Sequence, residues 1–186
     1  GLYGSNPMGM ELQVTQWAYN LPDNNLGQVI FKKFVFINKS DYKYTDMYVG
    51  QWSDPDLGNY GDDLVGCDTA LSIGFLYNGN DADEQFSALN LAPPSAGYDF
   101  FQGPRVYTGN PQDTAVWDLG YISGWINLPM TSFIYFAAGS SIQDPTLQQY
   151  EGTLQWYNLL RGYTPTDDVD NPTPYIAGSG PMKDST

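Results

Sequence analysis

The most constraining feature of this sequence is an acidic run between residues 52 and 68. The run contains no basic residue and holds five aspartates, namely Asp54, Asp56, Asp62, Asp63 and Asp68. Carboxylates at this density repel one another, so a folded chain keeps them together most easily when a cation neutralises them. Calcium suits them because it takes about six to eight oxygen ligands, which closely spaced Asp residues in a Gly-containing loop can supply. Residues 54–68 are therefore predicted to form a calcium-binding loop.

A second oxygen-rich segment follows about ten residues later. Its candidate ligands are Asn78, Asn80, Asp81 and Asp83. A straight strand over residues 69–77 would place the two segments at opposite ends, which favours two calcium sites over one. Neither segment is an EF-hand, because the bidentate Glu at the last loop position is missing. Solvated turn aspartates are the alternative for both segments.

Composition excludes several classes of function. The net charge is −14 and the chain has no histidine. Such a surface repels nucleic acid and anionic lipid, so we expect neither nucleic-acid binding nor membrane insertion. Without histidine, the usual base of Ser and Cys nucleophiles and the commonest zinc ligand are missing. We therefore expect that the protein is not an enzyme.

The pattern along the chain is typical of β-structure. Runs rich in aromatic and β-branched residues, bounded by Gly, Pro, Asn or Asp, occur at residues 10–19, 27–38, 46–52, 69–77, 97–101 and 132–138, with a possible last strand at 172–177. In the second run both faces are apolar, which is typical of a central strand in a sandwich. The sequence predicts an all-β, antiparallel, jelly-roll-like β-sandwich over a single domain, residues 1–186. The loose ends of the chain suggest part of a longer secreted protein.

One segment has helical rather than strand periodicity. Asp144 is a good N-cap and Pro145 suits the first helical position. Apolar residues then follow at spacings of three and four, as far as a possible stop at Gly162. One α-helix near residues 145–161, packed on the sandwich, is predicted.

Several motifs together resemble a known group of domains. They are Tyr-Val-Gly-Gln-Trp-Ser-Asp-Pro-Asp-Leu-Gly at 48–58, Asp-Asp-Leu-Val-Gly-Cys-Asp at 62–68, Tyr-Asp-Phe-Phe-Gln-Gly-Pro at 98–104, Met-Thr-Ser-Phe at 130–133 and Tyr-Asn-Leu-Leu-Arg-Gly at 157–162. In order and spacing they are similar to a domain of uncharacterised secreted proteins of Bacteroidota and Ignavibacteria, which often end in a type IX secretion sorting domain. The resemblance covers about residues 8–182. It implies an extracellular or cell-surface location, and it implies no catalytic or ligand residues.

The sequence is compatible with three functions. The favoured one is an extracellular, calcium-stabilised structural or adhesive module that contacts neighbouring subunits. The second is a carbohydrate-binding module for extracellular polysaccharide, using exposed rings among Trp52, Tyr60, Trp117, Trp125 and Trp156. A glycoside-acting enzyme ranks last, because nothing singles out a pair of carboxylates. Exposure of the rings discriminates between the first two.

Overall fold

A computed structural model describes residues 4–136 and 142–176. Its strands are β1 (Met10–Ala18), β2 (Ile30–Asn38), β3 (Asp63–Asp68), β4 (Ile73–Asn78), β5 (Ser95–Asp99), β6 (Arg105–Tyr107), β7 (Thr114–Trp117), β8 (Gly120–Ser123) and β9 (Trp125–Asn127). Its helices are α1 (Glu84–Ser87) and α2 (Tyr150–Leu160), with 3-10 turns at Asn25–Gln28 and Tyr60–Asp62. The protein is thus β-rich with little helix, as the sequence predicts.

The described strands form four separate antiparallel sheets. β1 pairs with β2, β3–β4–β5 form a three-stranded sheet, β6 pairs with β9, and β7 pairs with β8. In the β1–β2 hairpin, Leu12 lies opposite Phe36 and Val14 opposite Phe34, so one face carries a continuous apolar strip. β2 is therefore one strand of a two-stranded sheet rather than a central strand.

Two of the predicted strand segments pack against α2 instead of joining a sheet. Residues 46–52 form no strand: Tyr48 contacts Tyr157 edge-on, with ring centroids 5.8 Å apart. In the described part of 132–138, Ser132 Oγ donates towards the carbonyls of Leu159 and Leu160, both at 3.3 Å. Both carbonyls belong to the last turn of α2, whose carbonyls have no partner within the helix, and the Leu159 carbonyl also accepts from the N–H of Gly162 at 2.9 Å. Residues 137, 138 and 177 of the predicted strands lie outside the described residues.

The helix begins later than its sequence signals indicate. α2 starts at Tyr150, and its N-cap is Gln149, which makes no side-chain capping bond. The main-chain N–H of Thr146 donates instead to Gln155 Oε1 at 2.6 Å, so the segment containing Asp144 and Pro145 folds back along the helix. The prediction of residues 145–161 was therefore wrong over residues 145–149, which include Leu147 of the predicted apolar stripe, and right from Tyr150 to Leu160.

The buried apolar side chains are few, and four of the five lie near the acidic segments or near α2, while Ala115 lies in β7. Within the described residues they are Leu57, Leu76, Ala115, Leu159 and Tyr175. Leu57 precedes the 3-10 turn and Leu76 lies in β4, so this part of the core supports the junction of the two acidic segments. That junction is where the candidate site lies.

Candidate functional site

The β3–β4 hairpin brings the two acidic segments together. Asp63 lies directly opposite Asn78 in the antiparallel ladder. One rung further, the N–H of Gly79 donates to the Asp62 carbonyl at 2.8 Å. The expectation that the segments lie at opposite ends does not hold, because residues 63–68 form a strand rather than a loop and the chain reverses at 69–72.

Asp62, Asp63 and Asn78 form the centre of this junction. The amide of Asn78 donates to Asp62 Oδ2 at 3.3 Å and to the Asn80 carbonyl at 2.9 Å. The amide of Asn80 also donates to Asp62 Oδ2. Asp63 Oδ2 accepts from the N–H of Leu57 at 2.9 Å. Each of these three residues therefore has one oxygen that accepts no hydrogen bond. These atoms are Asp62 Oδ1, Asp63 Oδ1 and Asn78 Oδ1, and all three are buried.

These three atoms share one chemical character. All are acceptors, and leaving a buried acceptor unsatisfied costs about 1–3 kcal/mol. No ion pair among the described residues involves Asp62 or Asp63, since those present join Lys33 to Asp118 and Lys39 to Glu11. A hard cation satisfies several acceptor oxygens at once and offsets the repulsion between the two carboxylates. We name Asp62, Asp63 and Asn78 the acceptor cluster.

The acceptor cluster contains only two acidic side chains, and its third member is an amide. Within residues 4–136 and 142–176, no three or more Asp, Glu, Cys or His side chains are grouped so as to hold a metal. The cluster combines two carboxylates with one amide oxygen, which is also a calcium ligand type. Asn78 is only 8% exposed, so its side chain is committed to the junction.

Asp83 has a different role, as a clamp between the two segments. Its Oδ2 accepts from the N–H of Asn59 and its Oδ1 from the N–H of Phe86, both at 2.8 Å. The second bond makes Asp83 the N-cap of α1. Hydrogen bonds from the main-chain N–H of Asn59 and then Phe86 hold the pKa of this carboxyl below its usual value. Asp83 is only 1% exposed. Both of its carboxylate oxygens accept hydrogen bonds from the backbone, so neither is left for an ion.

The remaining predicted ligands do not join the cluster. Asp54, Asp56 and Asp81 are exposed. Asp68 lies at the far end of β3, where its Oδ1 accepts from the N–H groups of Ala70 and Leu71 at 2.9 and 3.1 Å. Both bonds are typical of an Asp that closes a turn.

The predicted sugar-binding rings differ in exposure. Trp52 is 55% and Tyr60 75% exposed. Trp117 is partly exposed, but the guanidinium carbon of Arg105 lies 3.2 Å from its ring centroid and covers one face. Trp125 and Trp156 are half-buried. The five rings thus do not form one exposed row.

A separate aromatic stack was not predicted from the sequence. Trp17 stacks on Phe31 with centroids 5.3 Å apart and an interplanar angle of 12°. Phe31 stacks in turn on Phe101 at 6.1 Å and 22°. Trp17 and Phe31 are cross-strand partners, which the sequence reveals only once the register is known.

No helix in the described part is both long and apolar enough to cross a membrane. Comparison of the chain with protein-family models, with curated proteins and with solved structures finds no match.

Proposed function

We propose that this protein is an extracellular structural or adhesive β-sandwich module that is stabilised by calcium and contacts neighbouring subunits. The several antiparallel sheets with apolar strand faces support the sandwich. The motif resemblance to secreted domains supports the extracellular location. No catalytic activity is part of this proposal.

The calcium part rests on one observation, the three buried oxygens of the acceptor cluster that lack hydrogen-bond partners. Asp62 and Asp63 lie within the first acidic segment and Asn78 lies at the start of the second, while Asp63 also accepts from the N–H of Leu57. An ion at the cluster would therefore join both segments to the β3–β4 edge. It would stabilise the fold rather than take part in chemistry.

A melting experiment tests this proposal. With a dissociation constant of about 0.1–1 mM, as in extracellular calcium modules, about 10 mM calcium stabilises a fold by roughly 1.4–2.7 kcal/mol. For a chain of this size that is a rise in melting temperature of roughly 3–10 °C. Sodium chloride of equal ionic strength should give a much smaller rise, because screening does not replace a ligand.

Two double variants with the same loss of charge locate the ion. Asp62→Asn with Asp63→Asn should lose the calcium-dependent rise. Asp54→Asn with Asp56→Asn is the matched control, since both residues are exposed, and it should keep that rise. Equal responses of the two variants would show that calcium acts on overall charge, and no calcium response in the wild type would refute the calcium part.

A carbohydrate-binding module is the second candidate. The observation that favours it is the partly exposed stack of Trp17, Phe31 and Phe101, in which Phe101 is 73% exposed. Sugar rings pack their C–H faces against such aromatics. Affinity electrophoresis in soluble polysaccharides tests it: retarded migration that Phe101→Ala abolishes and Trp52→Ala leaves unchanged would favour this function.

A further inference from the structure

Among the described residues, the guanidinium of Arg105 makes no hydrogen bond or ion pair, although the chain has 21 acids and only 7 basic residues. Its nitrogens do not belong to the buried polar atoms that lack a partner, so they reach solvent. The other arginine, Arg161, donates to Asn158 Oδ1 and, at 3.0 Å, to the Val169 carbonyl. Arg161 therefore supports the fold, whereas the N–H groups of Arg105 are available to a ligand.

Two tryptophan rings hold the guanidinium of Arg105 in place. Its central carbon lies 3.2 Å from the ring centroid of Trp117 and 5.3 Å from that of Trp125. A guanidinium that stacks on a ring keeps its N–H groups directed outward in its own plane. A side chain that is ordered before binding loses less conformational entropy when a ligand arrives. Arg105 is thus a preorganised donor rather than a mobile surface arginine.

Asn127 explains why Trp117 lies beside Arg105. Asn127 is the cross-strand partner of Arg105 in the β6–β9 ladder. Its Oδ1 accepts from the N–H of Val116 at 2.7 Å, and its amide donates to the Val116 carbonyl at 3.4 Å. These bonds join β7 to β9 and so bring the next residue, Trp117, to the guanidinium. The position of Arg105 therefore depends on three strands rather than on one side-chain conformation.

An exposed aromatic ring flanks the guanidinium. Tyr107 follows Arg105 by two residues in β6, so both side chains lie on one face of the strand, about 6–7 Å apart. Tyr107 is 65% exposed, and its ring centroid lies 5.1 Å from that of Trp125. Sugar rings pack their C–H faces against such aromatics. We call Arg105 and Tyr107, together with Trp117 and Trp125, the guanidinium site.

The two acids within residues 100–127 have other partners than Arg105. Asp118 forms an ion pair with Lys33. Asp113 Oδ1 accepts from the amide of Asn110 at 3.3 Å. The net charge of −14 repels a dense polyanion, but at about 0.15 M salt the Debye length is about 8 Å, so short-range contacts dominate. A ligand with separated carboxylates on neutral rings suits this balance.

We propose that the guanidinium site binds a carboxylate-bearing sugar, namely a uronic acid residue of an acidic extracellular polysaccharide. Arg105 holds the carboxylate through two parallel N–H···O bonds, which a planar fork forms with a planar anion. Tyr107 packs against the sugar ring. The inference rests on the adhesive role proposed above and names its ligand class. The site shares no residue with the stack of Trp17, Phe31 and Phe101.

A fluorescence titration of the whole chain with trigalacturonate tests the proposal, because two of the tryptophans line the site. The reference ligand is the methyl ester of the same trisaccharide, which keeps the sugar rings and removes the charges. A chelator in the buffer prevents calcium from bridging sugar and protein. The wild type should bind the acid at least about tenfold more tightly than the ester. Equal binding of acid and ester, or no binding at about 10 mM acid, would overturn the proposal.

Two variants with the same loss of charge show whether Arg105 is the contact. Arg105→Gln should weaken binding of the acid at least about tenfold. Lys32→Gln should bind like the wild type, because Lys32 lies on the face of β2 opposite to Lys33. Equal losses in the two variants would mean that overall charge decides, which would overturn the proposal. If Arg105→Gln fails to fold, Arg105→Lys replaces it: it keeps the charge without the fork and should lose the preference for the acid.

Two tyrosine variants test the sugar part of the proposal. Tyr107→Ala should weaken binding of the acid, because the flanking ring is removed. Tyr121→Ala is the matched control, since Tyr121 is 80% exposed and pairs with Val116, on the face of β7–β8 opposite to Trp117. It should bind like the wild type. Unchanged binding by Tyr107→Ala would overturn the assignment of a sugar.

The result is separable from the other proposals. The variant Asp62→Asn with Asp63→Asn should bind trigalacturonate like the wild type, because the acceptor cluster shares no residue with the guanidinium site. Phe101→Ala should also keep this binding, and its loss there would place the sugar on the aromatic stack instead. If calcium raises the melting temperature but trigalacturonate does not bind, the guanidinium site alone is wrong.

Discussion

Gly58 lies directly against the carboxylate of Asp83. A Cβ at Gly58 would come within 2.3 Å of Asp83 Oδ1, and the φ of Gly58 is +78°. The first acidic segment can therefore reach the clamp residue only with glycine at this position. This contact links residues 25 positions apart and fixes how the two acidic segments meet.

Replacing Gly58 by alanine should destabilise the fold strongly. A positive φ alone costs an alanine roughly 1–2 kcal/mol. Gly109→Ala is the matched control, because Gly109 has a similar φ of +73° but its Cβ would meet Tyr107 at an ordinary 3.6 Å. Gly58→Ala should lower the melting temperature clearly more than Gly109→Ala does. Equal losses would mean that the Asp83 contact adds nothing.

Replacing Asn78 by aspartate should make stability more dependent on calcium. The change places a third carboxylate beside Asp62 and Asp63, so in the presence of a chelator the melting temperature should fall below that of the wild type. In about 10 mM calcium, a concentration suited to millimolar sites, the added negative ligand should recover the loss or exceed it. Differential scanning calorimetry in both buffers measures this. An equal fall in both buffers would indicate that no ion occupies the cluster.

Asp83 should stabilise the fold in a pH-dependent way. Its folded pKa is held below the ordinary value by the N–H groups of Asn59 and Phe86. Its contribution is therefore complete above the unfolded pKa of about 3.9 and is lost as pH falls below it towards the folded pKa. Urea unfolding at neutral pH should show Asp83→Asn destabilised against the wild type, with the gap narrowing in acid.

The exposed residue Asp81 lies in the same loop and serves as the control for Asp83. Asp81→Asn should leave stability close to the wild type across the same pH range. A constant gap between Asp83→Asn and the wild type down to low pH would contradict the role assigned to the Asp83 charge.

Arg105 should contribute through its planar guanidinium rather than through charge alone. Its guanidinium carbon lies 3.2 Å from the Trp117 centroid and 5.3 Å from that of Trp125. A lysine cannot stack in this way. Arg105→Lys should therefore cost about 1 kcal/mol, or roughly 2–4 °C in melting temperature. Lys32→Arg, which exchanges the same two residue types in reverse on β2, should change the melting temperature little.

The sequence by itself determined the β-rich class and the region of the candidate site. Residues 10–18 and 30–38 are rich in aromatic and β-branched residues and are bounded by turn-forming residues, which predicts strands. The closely spaced carboxylates of Asp62 and Asp63 predicted a cation, because repulsion between neighbouring negative charges follows from the sequence alone. The apolar residues Tyr150, Leu154 and Tyr157 predicted α2, since three- and four-residue spacing places those side chains on one face of a helix.

Other features depended on the tertiary structure. Asn78 joins Asp63 only because β3 and β4 pair in one register, whereas Asp68 lies at the far end of the same strand. Residues 46–52 carry a strand pattern, yet Tyr48 packs on Tyr157 of α2. Pairing register and helix docking are set by contacts between residues distant in sequence. A local pattern fixes which face of a segment is apolar, but the neighbour that covers that face is decided by the packing of the whole chain.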